Sequence, residues 1–130
     1  MPAPKPAMLE HTNYTVADID ATAAWMIDLF GWHIRWQGDS LDKGRTIHVG
    51  TDTHYLALYT RATAAKSREN SYDTVGGLNH IAVVVEDILD MRTRVAAHGF
   101  TPGEHYDYEP GQRFYFHDHD GIEYEIVQYD

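Results

Sequence analysis

Cysteine is absent from the 130 residues. That excludes a disulfide scaffold, a thiolate metal site and a cysteine nucleophile. Cations are scarce: 10 Lys+Arg stand against 20 Asp+Glu, a formal net charge of −10. A polyphosphate or an anionic membrane surface is therefore repelled over most of the molecule, and neither nucleic acid nor membrane is an expected partner. No stretch approaches the ~18 apolar residues of a membrane span. The Pro-rich segment Met1 to Ala7 lacks the apolar core of a signal peptide and reads as a disordered or arm-like tail. No Ser-His-Asp order, phosphate loop or dinucleotide fingerprint is present. The expectation is one cytoplasmic globular domain, for which a 43% hydrophobic content is ordinary.

Histidine, by contrast, is plentiful at nine residues, and a repeat organises the chain. Leu9-Glu10-His11 followed by Val16, Asp18 and Ile19 matches Leu78-Asn79-His80 followed by Val85, Asp87 and Ile88 at a constant offset of 69 residues. Each copy leads into helical spacing that ends at glycine: Asp20 to Phe30 before Gly31, and Asp87 to His98 before Gly99. Ala23, Ile27 and Phe30 form the apolar stripe of the first helix, and Ile88, Met91 and Val95 that of the second. Asp20 and Asp87 suit the N-caps, where a carboxylate accepts from free backbone amides. Period-2 segments follow each helix: Trp32 to Gln37, Arg45 to Val49 and Tyr55 to Thr60, then Phe100 to Tyr106, Gln112 to His117 and Ile122 to Tyr129. The chain thus reads as two β-α-β-β-β modules, about 8–60 and 78–130, joined by a polar linker at 61–77.

Strand alternation assigns faces. Thr12, Tyr14 and Val16 in the first module, and Ile81, Val83, Val85, Phe114, Phe116, Tyr124 and Ile126 in the second, point toward the helices. His11, Asn13, His80, Ala82, Arg113, Tyr115, His117, Glu123 and Glu125 point away. Two imidazoles and a carboxylate arriving from separate strands on one concave face suit a divalent first-row metal that keeps positions open for substrate. His11, His80 and Glu125 can form that set, with Glu123 a rival on the same face; a strand histidine that is merely solvated or satisfied is the plainer alternative for each. The run His117-Asp118-His119-Asp120 resembles a metal box in composition only. Its neighbours alternate in direction and Gly121 follows, so a solvated turn is expected there.

Tandem β-α-β-β-β modules, a histidine opening each, and Glu125 after Phe114-Tyr115-Phe116-His117-Asp118-His119-Asp120-Gly121-Ile122-Glu123-Tyr124 resemble the vicinal oxygen chelate superfamily. This superfamily includes glyoxalase I, bleomycin and fosfomycin resistance proteins and extradiol dioxygenases. The resemblance covers about residues 8–130. It implies an α+β fold in which the tandem modules form a curved mixed sheet around a concave site, with the helices on the outer face. The metal ligands it implies are His11, His80 and Glu125, the last preferred over Glu123 by the family spacing. The ion is divalent, with Fe2+ favoured and Mn2+, Ni2+, Zn2+ or Co2+ as alternatives. Ala57 occupies the first-module position equivalent to Glu125, where glyoxalase I-like isomerases usually carry a carboxylate, so the set resembles the two-His-one-carboxylate triad of extradiol dioxygenases. On that resemblance Tyr115, ten positions before Glu125, hydrogen-bonds the substrate oxygen and His54 shuttles the proton. Tyr115 also suits an ordinary strand position, and the role of His54 needs a bulge or loop at that point. His48 and His105 are further candidates for the site face. The resemblance implies a small-molecule substrate held through two vicinal oxygens and a homodimer. A metal-free binding protein of the bleomycin-resistance kind and an isomerase of the glyoxalase or epimerase kind are the alternatives.

Overall fold

The computed structural model describes residues 3–67 and 69–130. The first two residues of the expected tail and Arg68 of the expected linker lie outside the described residues; residues 3–7 are exposed and carry no helix or strand. The chain divides into two compact units, Met1–Ala64 and Ala65–Asp130, so the boundary falls within the polar segment at 61–77.

The first unit runs β1 (His11–Thr15), α1 (Ile19–Phe30), β2 (His33–Asp39), β3 (Arg45–Gly50) and β4 (Tyr55–Thr60). Its four strands form one mixed sheet in the order β1-β4-β3-β2, with β1 parallel to β4 and the other neighbours antiparallel. Helix α1 lies against β3 and β4. Its cap is Asp18, whose carboxylate accepts from the Ala21 amide at 3.0 Å; Asp20, the expected cap, sits in the first turn and pairs with Arg45 at 3.5 Å. The buried stripe is also displaced. Ile19, Ala23, Met26 and Leu29 are buried while Ile27 and Phe30 are half-buried, so the row that meets the sheet runs from Ile19 through Ala23 and Met26, to one side of the expected stripe. Gly31 closes α1 at φ +70°, and its amide donates to the Ile27 carbonyl. This left-handed position suits a residue without Cβ.

Asp18→Ala is expected to cost about 1 kcal/mol, the usual worth of an N-cap. Asp20→Ala, which breaks only an exposed ion pair, should cost a few tenths at most, on the order of 0.3 kcal/mol. Urea unfolding of the two variants checks this, and equal losses would return the cap to Asp20.

The second unit repeats the order with β5 (Ile81–Val84), α2 (Ile88–Ala97), β6 (Tyr106–Tyr108), β7 (Gly111–His117) and β8 (Glu123–Tyr129). Its sheet runs β5-β8-β7-β6, again with one parallel pair, β5 with β8. Asp87 caps α2 as expected, accepting from the Asp90 amide at 3.0 Å, and Ile88, Met91 and Val95 are buried. Phe114, Phe116, Tyr124 and Ile126 are at most 1% exposed, which confirms the face assignment of both inner strands. The expected strand from Phe100 to Tyr106 is not formed; only Tyr106–Tyr108 pairs with β7. The apolar residue that suggested it, Phe100, is instead a buried plug stacked on Phe116 at 5.5 Å. Among the described residues no helix is long and apolar enough to cross a membrane.

Candidate functional site

In the second unit, the sheet face turned away from α2 gathers polar groups around one carboxylate. Glu125 sits mid-strand in β8, paired with Tyr115 of β7 on one side and Ala82 of β5 on the other. It is 7% exposed, so both carboxylate oxygens need partners. Oε2 accepts from the Tyr115 hydroxyl at 2.9 Å and from Arg113 Nη1 at 3.0 Å. Oε1 faces His80 Nε2 at 3.5 Å. His80 stands one residue before β5, and its Nδ1 lies 2.6 Å from the Asn79 carboxamide oxygen. With Nδ1 donating there, the neutral ring leaves the Nε2 lone pair for another partner. Burial, then the bond to Glu125, raises the Tyr115 hydroxyl above its ordinary range, which keeps it a donor at neutral pH.

The rival carboxylate is already engaged. Glu123 Oε2 accepts from the Tyr72 hydroxyl at 2.8 Å and lies 3.7 Å from His117 Nε2. The bond to Glu123, followed by burial, pushes Tyr72 up to about 12. Tyr72 belongs to the polar segment before β5, where no strand or helix pattern marks a functional residue, and nothing in the sequence singles it out.

The first unit places His11 at the start of β1, on the sheet face turned away from α1. Its Nδ1 is 2.9 Å from Glu10 Oε1, the same arrangement that Asn79 makes with His80. Glu10 also accepts from the Tyr55 hydroxyl at 3.1 Å, and the bonds from His11 and Tyr55 hold its carboxyl below the usual range. Beside His11 runs a row of rings: Tyr55 stacks on it at 4.9 Å, His48 on Tyr55 at 4.7 Å, and Trp36 lies 5.2 Å from His48. Burial shifts the His48 imidazole below its ordinary value. Arg35 is the extra residue of a β-bulge between Ile34 and Trp36, and its guanidinium lies over the Tyr55 ring at 4.3 Å. Trp36 is half exposed and folds onto Gly38, where a Cβ would meet its ring at 2.8 Å. Ala57, fully buried, pairs with His48 and Asn13.

His54 lies outside β4, in the turn that follows β3, so the loop its proposed role requires is present; its Nδ1 is 3.0 Å from Thr53 Oγ1. His105 Nε2 is 3.0 Å from the Gln112 side-chain oxygen. His117 ends β7 and the turn runs from Asp118 to Gly121, and one expectation fails: Asp118 is not solvated. It is 8% exposed and accepts from the Asp120 and Ile122 amides and the Tyr124 hydroxyl. Desolvation raises its carboxyl above the ordinary range. A carboxyl raised in the fold supports stability most fully below its unfolded value, and that support is lost as pH rises through the folded value. Asp118→Asn, which keeps an acceptor for the two amides and carries no charge, is therefore expected to flatten the fall in stability from pH 4 upward. Urea midpoints measured across that range test it; parallel profiles for the two proteins would show that the burial carries no net electrostatic cost.

Among the described residues no group of three or more His, Asp or Glu side chains converges to hold a metal ion. The structure brings His80, Tyr115 and Glu125 together in the second unit and places His11 and His54 in the first. Arg113, Asn79 and Glu10 were not singled out from sequence, although alternation puts Arg113 on the Glu125 face and the repeat puts a side-chain acceptor before each histidine.

A family model for the Glyoxalase/Bleomycin resistance protein/Dioxygenase superfamily matches residues 8–126. No curated protein matches the sequence. Among solved structures, a glyoxylase/bleomycin resistance protein/dioxygenase domain from Frankia sp. EAN1pec is similar, with a TM-score of 0.80, 20% identity, and 97% of this chain and 100% of that one covered. A variant of the fosfomycin resistance protein FosX from Listeria monocytogenes, complexed with Mn(II) and 1S,2S-dihydroxypropylphosphonic acid, has a TM-score of 0.73 at 17% identity, over 95% of this chain and 93% of that one. TnmS3, an antibiotic binding protein from Streptomyces sp. CB03234, has a TM-score of 0.72 at 12% identity, over 98% and 100%. At these identities the structures testify to the fold, while the family model spans nearly the whole sequence: the chain belongs to the Glyoxalase/Bleomycin resistance protein/Dioxygenase superfamily.

Proposed function

We propose that the protein is a metal-dependent enzyme that acts on a small substrate chelated through two vicinal oxygens, with chemistry of the extradiol-dioxygenase kind, and that it works as a homodimer. The observation that carries this reading is the pair His80 and Glu125. Two ligand atoms about 2.1 Å from one ion lie about 3.0 Å apart when cis on an octahedron and about 3.4 Å apart on a tetrahedron, and His80 Nε2 and Glu125 Oε1, separated by 3.5 Å, need close only slightly to share an ion with positions open for substrate. Both have their other polar atom occupied, so that one nitrogen and one oxygen are left to bind. His11, oriented in the same way by Glu10, supplies the third ligand. Imidazole nitrogen with carboxylate oxygen suits Fe(II), the ion this reading favours, as well as Mn(II), Co(II), Ni(II) and Zn(II). The Mn(II) held by FosX supports a divalent ion on this fold.

The bound ion would polarise the two substrate oxygens and stabilise the negative charge that develops on them. The chain's own groups do the rest. When substrate binds, Tyr115, kept protonated, gives its one hydrogen bond to a substrate oxygen, and Arg113 goes on holding Glu125 Oε2. His54, with an exposed ring in a turn, takes the proton released there. The test is oxygen uptake by the Fe(II)-loaded protein with a panel of catechols: uptake matched by a ring-opened product is expected, and loaded protein that consumes no oxygen with any of them would overturn the dioxygenase assignment.

A second reading, a metal-free protein that sequesters an aromatic ligand, is favoured by the ring row from His11 to the half-exposed Trp36. A protein that takes up no metal on reconstitution, yet whose tryptophan fluorescence is quenched by aromatic compounds, would establish that reading instead.

A further inference from the structure

We infer that Arg113 is a positioning residue which, with Tyr115, restricts Glu125 to presenting a single oxygen to the metal; this rests on the metal site proposed above. Arg113 reaches the carboxylate diagonally from β7, and its Nη1 and the Tyr115 hydroxyl both bond the same oxygen, Oε2, at 3.0 and 2.9 Å. Oε1 alone is left on the His80 side. The guanidinium is itself fixed, with 17% of its side chain exposed and its carbon 5.0 Å from the centre of the Tyr108 ring. A carboxylate oxygen with two donors, one of them charged, is costly to withdraw from them. Glu125 therefore neither swings into two-oxygen coordination nor leaves the ion to take a proton. A residue so held acts as a constant ligand, and proton transfer falls to other groups, which distinguishes this site from one whose metal carboxylate doubles as the base.

The test separates positioning from charge. Removing Arg113 also removes a positive charge near the ion, which on its own strengthens binding of every divalent cation about equally. That contribution cancels in a ratio of affinities. Two-oxygen coordination suits the larger, oxygen-preferring Mn(II) more than Zn(II). In Arg113→Met the ratio of Mn(II) to Zn(II) affinity, measured by calorimetry with each metal alone, is expected to rise at least about fivefold, a change in the range of second-layer effects at metal sites. Tyr115→Phe should shift it in the same direction, and Arg113→Lys, which retains a charged donor, should restore most of the wild-type ratio. Thermal unfolding of the metal-free variants shows whether the fold is kept, and Tyr115→Phe, which deletes one oxygen atom, supplies the comparison if Arg113→Met unfolds. An unchanged ratio in folded Arg113→Met and Tyr115→Phe would overturn the positioning role while leaving the metal site intact. Wild-type protein that binds neither ion would overturn both.

Discussion

Purified without a histidine tag or chelator, the wild-type protein is expected to carry about one transition metal ion per chain, and the His80→Ala and Glu125→Ala variants almost none. The reason is the small number of ligands. The proposed set of two imidazoles and one carboxylate has no spare donor. In Glu125→Ala the loss is compounded, because Arg113 keeps its charge while losing the acceptor at 3.0 Å and a cation then faces the place the ion should occupy. His11→Ala should fall with them. Elemental analysis of the four proteins, with far-UV circular dichroism to verify folding, is the measurement. Metal retained in folded His80→Ala and Glu125→Ala would remove both residues from the centre.

Phe116→Ala is expected to have the largest effect on stability, a loss of about 3–5 kcal/mol. Phe116 is 1% exposed and lies between two rings, Phe100 at 5.5 Å and Tyr124 at 5.4 Å. Truncation removes the area it buries and both ring contacts, and leaves a cavity that the rigid inner strands β7 and β8 close only in part. Against the usual 5–15 kcal/mol of a small domain, that is a large share. Tyr129→Ala, on the same sheet but 54% exposed, is the control and should cost well under half as much. Denaturant unfolding decides it: a loss below about 1 kcal/mol for Phe116→Ala would mean the ring stack is not part of the cooperative core.

Much of this architecture was legible in the sequence because the chain states it twice. The 69-residue offset located both helices, and alternation sorted Phe114, Phe116, Tyr124 and Ile126 from Tyr115 and Glu125 without error. The N-cap of α1 is encoded in the repeat as well: Asp18, not Asp20, matches Asp87 at the 69-residue offset. Residues 100–105 misled for a physical reason. An aromatic at a strand-like position can be an isolated plug, and the pattern does not separate the two. Pairwise contacts were out of reach. That Arg113 and Tyr115 share one oxygen of Glu125, or that Tyr72 occupies Glu123, depends on register and side-chain reach, which single-residue patterns do not encode.

Ala57 and Glu125 hold equivalent places in their sheets, each opposite an inner-strand neighbour, His48 or Tyr115. They have been furnished in opposite ways. Around Glu125 stand donors; beside Ala57 stand the His48 and Tyr55 rings, 4.7 Å apart, and the position itself is fully buried. A carboxylate introduced at Ala57 would be desolvated against those rings, and the strand position that matches Arg113 in the first unit is Thr46. The two repeats thus use one sheet position for opposite ends, and a carboxylate placed at Ala57 alone is expected to lower stability without gaining the donors that hold Glu125.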